Sequence, residues 1–418
     1  MWKSATVYQL YPASHHIAKL DYLKNLGVDV IWLSPIYRSP LADMGYDISN
    51  YKDSDARYGT IEDWDRLLAM DLVVNHTSDK YIWRPGKSVF QGSAWEHDST
   101  TGEYYLHLFV SKQPDLNWDN PVVRSDIWDN MQFWRASPQI DVINCISKTD
   151  GLPDAPLVDR MQYYQPASMY ITNGPQVHKY IKQMHTEVLS QHDLIMVGET
   201  PFTHEASGLA AYVLPQNREF NMLFQFELMD FDSRSESPLL KNFWTLGELK
   251  AIIGRWQRFM RDDGFWNAAY IENHDQARSV VRFWNDTAQW RAVSAKMLII
   301  LEITQMVTLY VYQGQELGLK NFPRTWRIEE YDDVASQIYW NLTEYQRQKA
   351  QGKEAVEMFD ILDSFAQKAR DHARTPIQWN AGAHGGFTTG TPYMRVNDDY
   401  PEWNAEQQIG DETSVHAF

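Results

Sequence analysis

The sequence predicts an α/β chain folded as a (β/α)8 barrel with a small domain inserted after the third strand. Eight short apolar runs, each ending in polar residues, carry that prediction first. Their apolar stretches are too continuous for half-solvated strands and suit strands buried on both faces of a parallel sheet. Helical patterns separate most of them, and 418 residues are enough for one such barrel with additions.

The strand candidates are "ATVYQLYP" at 5–12, "VDVIWLSP" at 28–35, "MDLVVNH" at 70–76 and "IDVIN" at 140–144. They continue with "DLIMVGE" at 193–199, "FQFELM" at 224–229, "NAAYIENHD" at 267–275 and "VTLYVYQGQE" at 307–316. Between the first two, Ile17, Leu20, Leu23 and Leu26 recur at three-residue spacing and Gly27 supplies a helix stop. Thr60 precedes "IEDWDRLL", with Asp63 three residues on, and further helical patterns occupy 122–134, 175–190, 246–261 and 289–304. Residues 77–121, rich in Gly, Pro, Trp and Tyr and containing "GEYYLHLF", read as the inserted domain, so 1–76 and 122–418 form the barrel.

Three connections are unusually short. "EDWDRLLAMDLVVNH" passes from a helix of about eight residues to a strand across Ala69 alone, whereas helices covering a parallel sheet need two or more turns. "FWRASPQIDVIN" is similarly compressed, and "YPASHHIAKLD" leaves few residues between the first strand and its helix. The expectation is a barrel incomplete at the second and fourth strand approaches.

Composition narrows the function classes. The formal charge of −17, from 55 acidic against 38 basic residues, argues against wrapping nucleic acid or anionic membrane and leaves a neutral ligand open. Cys145 is the single cysteine, so no internal disulfide forms, compatible with a reducing compartment. No basic-then-apolar leader opens the sequence and no run reaches about 18 apolar residues, so a cytoplasmic location is expected. The 17 Trp and 23 Tyr fit core packing or stacking on a sugar or other flat ligand.

Ligands of such barrels collect at the C-terminal strand ends. Those ends carry Asn75-His76, Asp141-Asn144, Glu199 and His274-Asp275. Asp141 and Glu199 suit a retaining glycoside cleavage, in which an ionised carboxylate attacks the anomeric carbon and a protonated one donates to the leaving oxygen. Asp275 could stabilise the positively charged ring, and His76 and His274 could bond its hydroxyls. Acidic residues at strand ends can equally cap the helices that follow. No "HExxH" or compact zinc spacing is present, so no catalytic metal is expected.

Several stretches resemble the maltase, isomaltase and oligo-1,6-glucosidase branch of the alpha-amylase superfamily: "GVDVIWLSPIYRSPLADMGYDISNYKD", "MDLVVNHTSD", "DVINCISK", "VGETP" and "YIENHDQARSV", extended by "VYQGQELGLKNFP" and "ARTPIQW". The resemblance implies a catalytic barrel with a B domain after strand three, here a shortened 77–121, and hydrolysis of small α-glucosides without a cofactor. It implies Asp141 as nucleophile, Glu199 as general acid/base and Asp275 as the stabilising carboxylate beside His274. Asp43, Tyr46, His76 and Arg374 match residues contacting the nonreducing glucose, and Val142 resembles members with α-1,6 activity.

The departures concern the same regions. The family carries an arginine two residues before the nucleophile, and Gln139 stands there. It also carries a cation-binding loop after the first strand that "YPASHHIAKLD" lacks, and an all-β C-terminal domain that is expected to be absent here. The chain is thus expected to be an internally shortened, C-terminally truncated α-glucosidase. Two alternatives stand beside it, a catalytically impaired sugar-binding or regulatory homologue and a non-functional truncated gene product.

Overall fold

The computed structural model describes residues 2–14, 19–64, 69–77, 88–90, 92–134, 137–151, 153–158, 164–192, 194–259 and 265–418. Eight parallel strands close a barrel in chain order: β1 Thr6–Leu10, β2 Val30–Leu33, β3 Ala69–Val73, β4 Ser137–Asp141, β5 Val197–Glu199, β6 Met222–Phe224, β7 Ala268–Ala269 and β8 Thr308–Tyr312. Each of the eight expected runs overlaps one strand, the fourth and sixth only at the strand's end. The helices α1 Leu20–Leu26, α2 Ile61–Trp64, α3 Pro121–Trp134, α4 Val177–Glu187, α5 Ala206–Val213, α6 Leu246–Phe259 and α7 Arg291–Ile303 alternate with them.

Local chemistry sets the ends of these elements. Gly27 ends α1 as expected, in the left-handed region at φ 87°, and its N–H returns to the carbonyls of Leu23 and Lys24. Ile17, read as the helix start, lies outside the described residues, as do 65–68 of the short helix before β3. The third run stops as a strand at Val73, which leaves Asn75 and His76 in the loop beyond it. The sixth is shifted: only Met222–Phe224 is extended, because Glu227, Leu228 and Met229 are good helix formers and enter a helical turn at Glu227–Asp230.

The fourth strand departs most from expectation. It was expected at 140–144 with a damaged approach, but Ser137, Pro138 and Gln139 are themselves strand, and the chain leaves the sheet at Val142. The pairing with β3 runs from Ala69↔Ser137 to Val73↔Asp141 without interruption, so the sheet closes despite the compression. Pro138 has no N–H to give the ladder, and the pairing with β5 is confined to Gln139↔Val197 and Ile140↔Gly198. Val142 then takes a left-handed conformation, φ 38° and ψ 44°, uncommon for a β-branched residue, before a turn of 3-10 helix over Ile143–Cys145. Its side chain is buried with Leu108, Cys145 and Ile171, which holds the backbone there.

After β3, Trp95–Asp98 and Glu103–Leu106 form an antiparallel hairpin in register Trp95↔Leu106 to Asp98↔Glu103. The extended segment expected from "GEYYLHLF" is its second strand. No helix among the described residues is long and apolar enough to cross a membrane. The chain divides into two compact units, Met1–Ser34, Leu228–Ile252 and Ala269–Phe418 forming one, and Pro35–Glu227 with Ile253–Ala268 the other.

Candidate active site

The second unit holds Asp141 and Glu199. Each is the last residue of its strand, on neighbouring parallel strands, and both are buried. The pairing Ile140↔Gly198 makes them the next positions in register. Side chains alternate along a strand, so Gln139 shares the face of Asp141. Its amide Nε2 donates to Glu199 Oε1 at 2.8 Å. The residue standing where the family has an arginine therefore engages the second carboxylate, as a neutral donor that adds no cation to the site.

Asp43, Tyr46 and His76 are buried in the same unit, held by residues that sequence reasoning did not select. The Tyr46 hydroxyl donates to Asp71 Oδ2 at 2.8 Å, and Asp71 is the register partner of Gln139 on β3. Gln113 Nε2 donates to Asp43 Oδ2 at 3.1 Å and lies 3.2 Å from His76 Nε2. Gln113 belongs to the 77–121 segment, so that segment completes the surroundings of both residues. Burial above all pushes His76 down to about 4; the neighbouring Lys148 adds to this and Asp115 opposes it.

Lys148 and Asp115 form a second tie to the same segment. Lys148 Nζ lies 2.6 Å from Asp115 Oδ2 and donates to Asn75 Oδ1 at 2.9 Å, while the Leu108 N–H donates to Asp115 Oδ1 at 3.0 Å. An Asp115→Ala substitution should destabilise the protein by about 2 kcal/mol, because it leaves a mostly covered ammonium without its counter-ion. Chemical denaturation checks this, and a loss below about 1 kcal/mol would refute it.

The first unit holds His274, Asp275 and Arg374. His274 is buried, with Gln9 Nε2 at 2.8 Å from Nδ1 and Nε2 at 3.6 Å from Asp275 Oδ2. Burial pushes its imidazole down to about 4; Asp275 opposes this and Arg374 and Arg370 add to it. Asp275 accepts from Arg370 Nη1 at 3.0 Å and Arg374 Nη2 at 2.7 Å. Burial works to raise this carboxyl, but Arg370, His274 and Arg374 outweigh it and hold it well below the usual carboxylate range. Arg374, expected to contact a sugar, is fully buried and directs its guanidinium to Asp275, to Asp333 and to the His274 carbonyl. The sequence reading missed Arg370 and Asp333. The spacing of Arg370 and Arg374, four apart in a helical context, was the available signal for the former.

Among the described residues no group of three or more His, Cys, Asp or Glu is arranged to hold a metal ion. Residues 15–18, in the loop that lacks the family's cation-binding sequence, lie outside them.

The family model for the alpha amylase catalytic domain matches residues 16–87 and 81–418. The oligo-1,6-glucosidase of Parageobacillus thermoglucosidasius is 43% identical, over all of this chain and 82% of the relative. The alpha-glucosidase of Schizosaccharomyces pombe is 40% identical, over all of this chain and 82% of the relative. The alignment to the first spans 473 residues against the 418 of this chain, so the relative carries internal residues that this chain lacks. Among solved structures, isomaltulose synthase from Erwinia rhapontici NX5 superposes with a TM-score of 0.88 at 36% identity, over 99% of this chain and 81% of that one. A trehalulose synthase gives 0.89 at 35% identity, over all of this chain and 82% of that one. A closed parallel barrel, buried carboxylates ending neighbouring strands and relatives matched along the whole chain lead to one conclusion: the chain belongs to the alpha-amylase family of glycoside hydrolases.

Proposed function

We propose that the protein is an α-glucosidase that removes terminal glucose from short α-1,4- and/or α-1,6-linked oligosaccharides such as maltose and isomaltose, with retention of configuration. The observation carrying this reading is the register of Asp141 beside Glu199. Neighbouring strands lie about 4.8 Å apart, so carboxylates that end adjacent strands in register can approach to the roughly 5 to 5.5 Å that retention requires. Asp141 attacks the anomeric carbon while Glu199 protonates the departing glycosidic oxygen. Glu199 then takes a proton from water, which cleaves the glycosyl ester and restores Asp141. Asp275 is the carboxylate that stabilises the positive charge developing on the ring in the transition state of each step.

In this reading Asp43 and His76 bond the hydroxyls of the terminal glucose and Tyr46 stacks on it, with Gln113 and Asp71 fixing all three. His76, neutral above about pH 4, can both donate and accept there. His274 and Arg374 serve the same ring, Arg374 through Asp275. The 77–121 segment acts as a shortened B domain, and the barrel comprises 1–76 and 122–418. The chemistry needs only side-chain proton transfers, with no redox or nucleotide cofactor. A cytoplasmic location fits a chain with one buried cysteine. Small α-glucosides are the partners proposed, with neither nucleic acid nor membrane.

The test is to incubate purified protein with maltose and with isomaltose for glucose release, and with a nitrophenyl α-glucoside, whose glucose comes only from the transferred ring, to follow the anomer by proton NMR. α-Glucose should appear first and mutarotate later. Initial release of β-glucose would overturn retention, and sugar binding without any release would overturn the enzymatic reading.

A further inference from the structure

Asp333 caps the helix Val334–Gln351, its Oδ1 accepting the Ala335 N–H at 2.9 Å. Its other oxygen serves a different purpose. Oδ2 accepts from Arg370 Nε at 2.9 Å and from Arg374 Nη1 at 2.9 Å, with Arg370 Nη2 at 2.8 Å. The same two guanidiniums meet again on Asp275 Oδ1, at 3.0 and 2.7 Å. Two carboxylates and two guanidiniums thus close a ring whose formal charges cancel. Its two ends differ: the Asp333 side chain is sealed from solvent, whereas that of Asp275 is 35% exposed.

We propose that Asp333 is a positioning residue for Asp275, holding Arg370 and Arg374 in the arrangement that presents both guanidiniums to one Asp275 oxygen. Two cations four residues apart on a helical segment repel each other and would splay. A buried carboxylate between them offsets the repulsion, and the planar forks leave few ways to satisfy it. Asp333 is itself held from behind. Its N–H donates to Asp371 Oδ1 at 2.7 Å, and Ser336 donates to Asp371 Oδ2 at 3.1 Å. Burial and the adjacent Asp333 push the Asp371 carboxyl upward.

The consequence for turnover rests on the role proposed above for Asp275. A carboxylate that stabilises a cationic ring acts by its position and by the field around it. Without the Asp333 charge the ring carries a net positive charge, and the arginines are free to shift, so Asp275 is both misplaced and over-neutralised. Ground-state contacts to the sugar hydroxyls are untouched, so the loss should fall on kcat.

The experiment compares D333N, D333E, R370Q, D275N and the double variants D275N/D333N and D275N/R370Q, with kcat and KM measured on isomaltose, maltose and a nitrophenyl α-glucoside. D333N should lower kcat about a hundredfold and change KM by less than about threefold. D333E should recover part of that loss. Each double variant should be no slower than D275N alone, because the partner through which Asp333 and Arg370 act is already gone. An Asn still caps the helix, and R370Q leaves the cap untouched, so a folding defect in one variant does not remove the other readout. If D333N or R370Q slows D275N by the same factor as it slows the parent, or if D333N turns over normally while D275N does not, the positioning role is wrong and the reading of Asp275 stands. Normal turnover by D275N would instead sink the role of Asp275 itself, and the positioning role with it.

Discussion

Asp141→Asn is expected to lower turnover of maltose and isomaltose by on the order of 10⁴-fold or more. The amide occupies the volume of the carboxylate and keeps one oxygen for hydrogen bonding, so the strand end and the sugar contacts survive. It cannot form the glycosyl ester. KM should therefore stay within a few-fold of the parent while kcat collapses. Glu199→Gln should behave differently, losing about 10²- to 10⁴-fold on disaccharides, whose leaving hydroxyl needs a proton, and far less in the first step on a nitrophenyl α-glucoside, whose leaving group does not. A burst of nitrophenol from Glu199→Gln and none from Asp141→Asn would separate the two roles. Retention of more than about a hundredth of parental turnover by Asp141→Asn would show that the nucleophile is elsewhere.

Acid should remove the stabilisation that the buried histidines provide before the ordinary carboxylates titrate. His76 and His274 are held down to about 4, against an ordinary value of 6.5. The unfolded chain therefore takes up protons at these positions from about pH 6.5, while the folded chain refuses them until about pH 4. The stabilisation they provide is complete above pH 6.5 and is lost as pH falls toward 4. Each histidine accounts for roughly 3 kcal/mol of that loss, a large share of the net stability of a folded domain. Asp275 adds nothing in this window, because a carboxyl held below its usual range loses its contribution only at more acid pH. Urea unfolding of the parent and of His76→Gln at intervals from pH 7.5 to 4.5 should show the parent losing roughly 3 kcal/mol more than the variant, since His274, His372 and the upward-shifted Asp371 act alike in both. The same pH dependence in parent and variant would show that the His76 imidazole is protonated in the folded state.

The strands were legible because a barrel core needs continuous apolar runs, and the helix stop at Gly27 because only glycine takes its conformation without cost. Strand ends were less so. Whether β4 began at Ser137 or Ile140 could not be read from propensity, since Ser, Pro and Gln are poor strand formers and only pairing with Ala69–Val73 makes them strand. Charged and imidazole side chains closing the apolar runs stood out by their position, which made Asp141, Glu199, Asp275, His76 and His274 candidates. Gln113, Asp71, Arg370 and Asp333 were not, because each matters through a partner distant in sequence: Gln113 reaches Asp43 and His76, and Asp333 reaches two arginines.

The uninterrupted pairing of β4 with β3 limits which length changes this chain could have sustained. Side chains on a strand alternate between the two faces, so sliding Ser137–Asp141 by one residue against β3 would turn Gln139 and Asp141 outward together and bring their neighbours in. Sliding by two would restore the faces. A loss of residues ahead of this strand is therefore tolerable only where the new register keeps the parity of Asp141, whatever the number of residues removed. Of the possible deletions at 135–138, those that break parity should leave a chain that still closes its sheet but turns Asp141 to the opposite face.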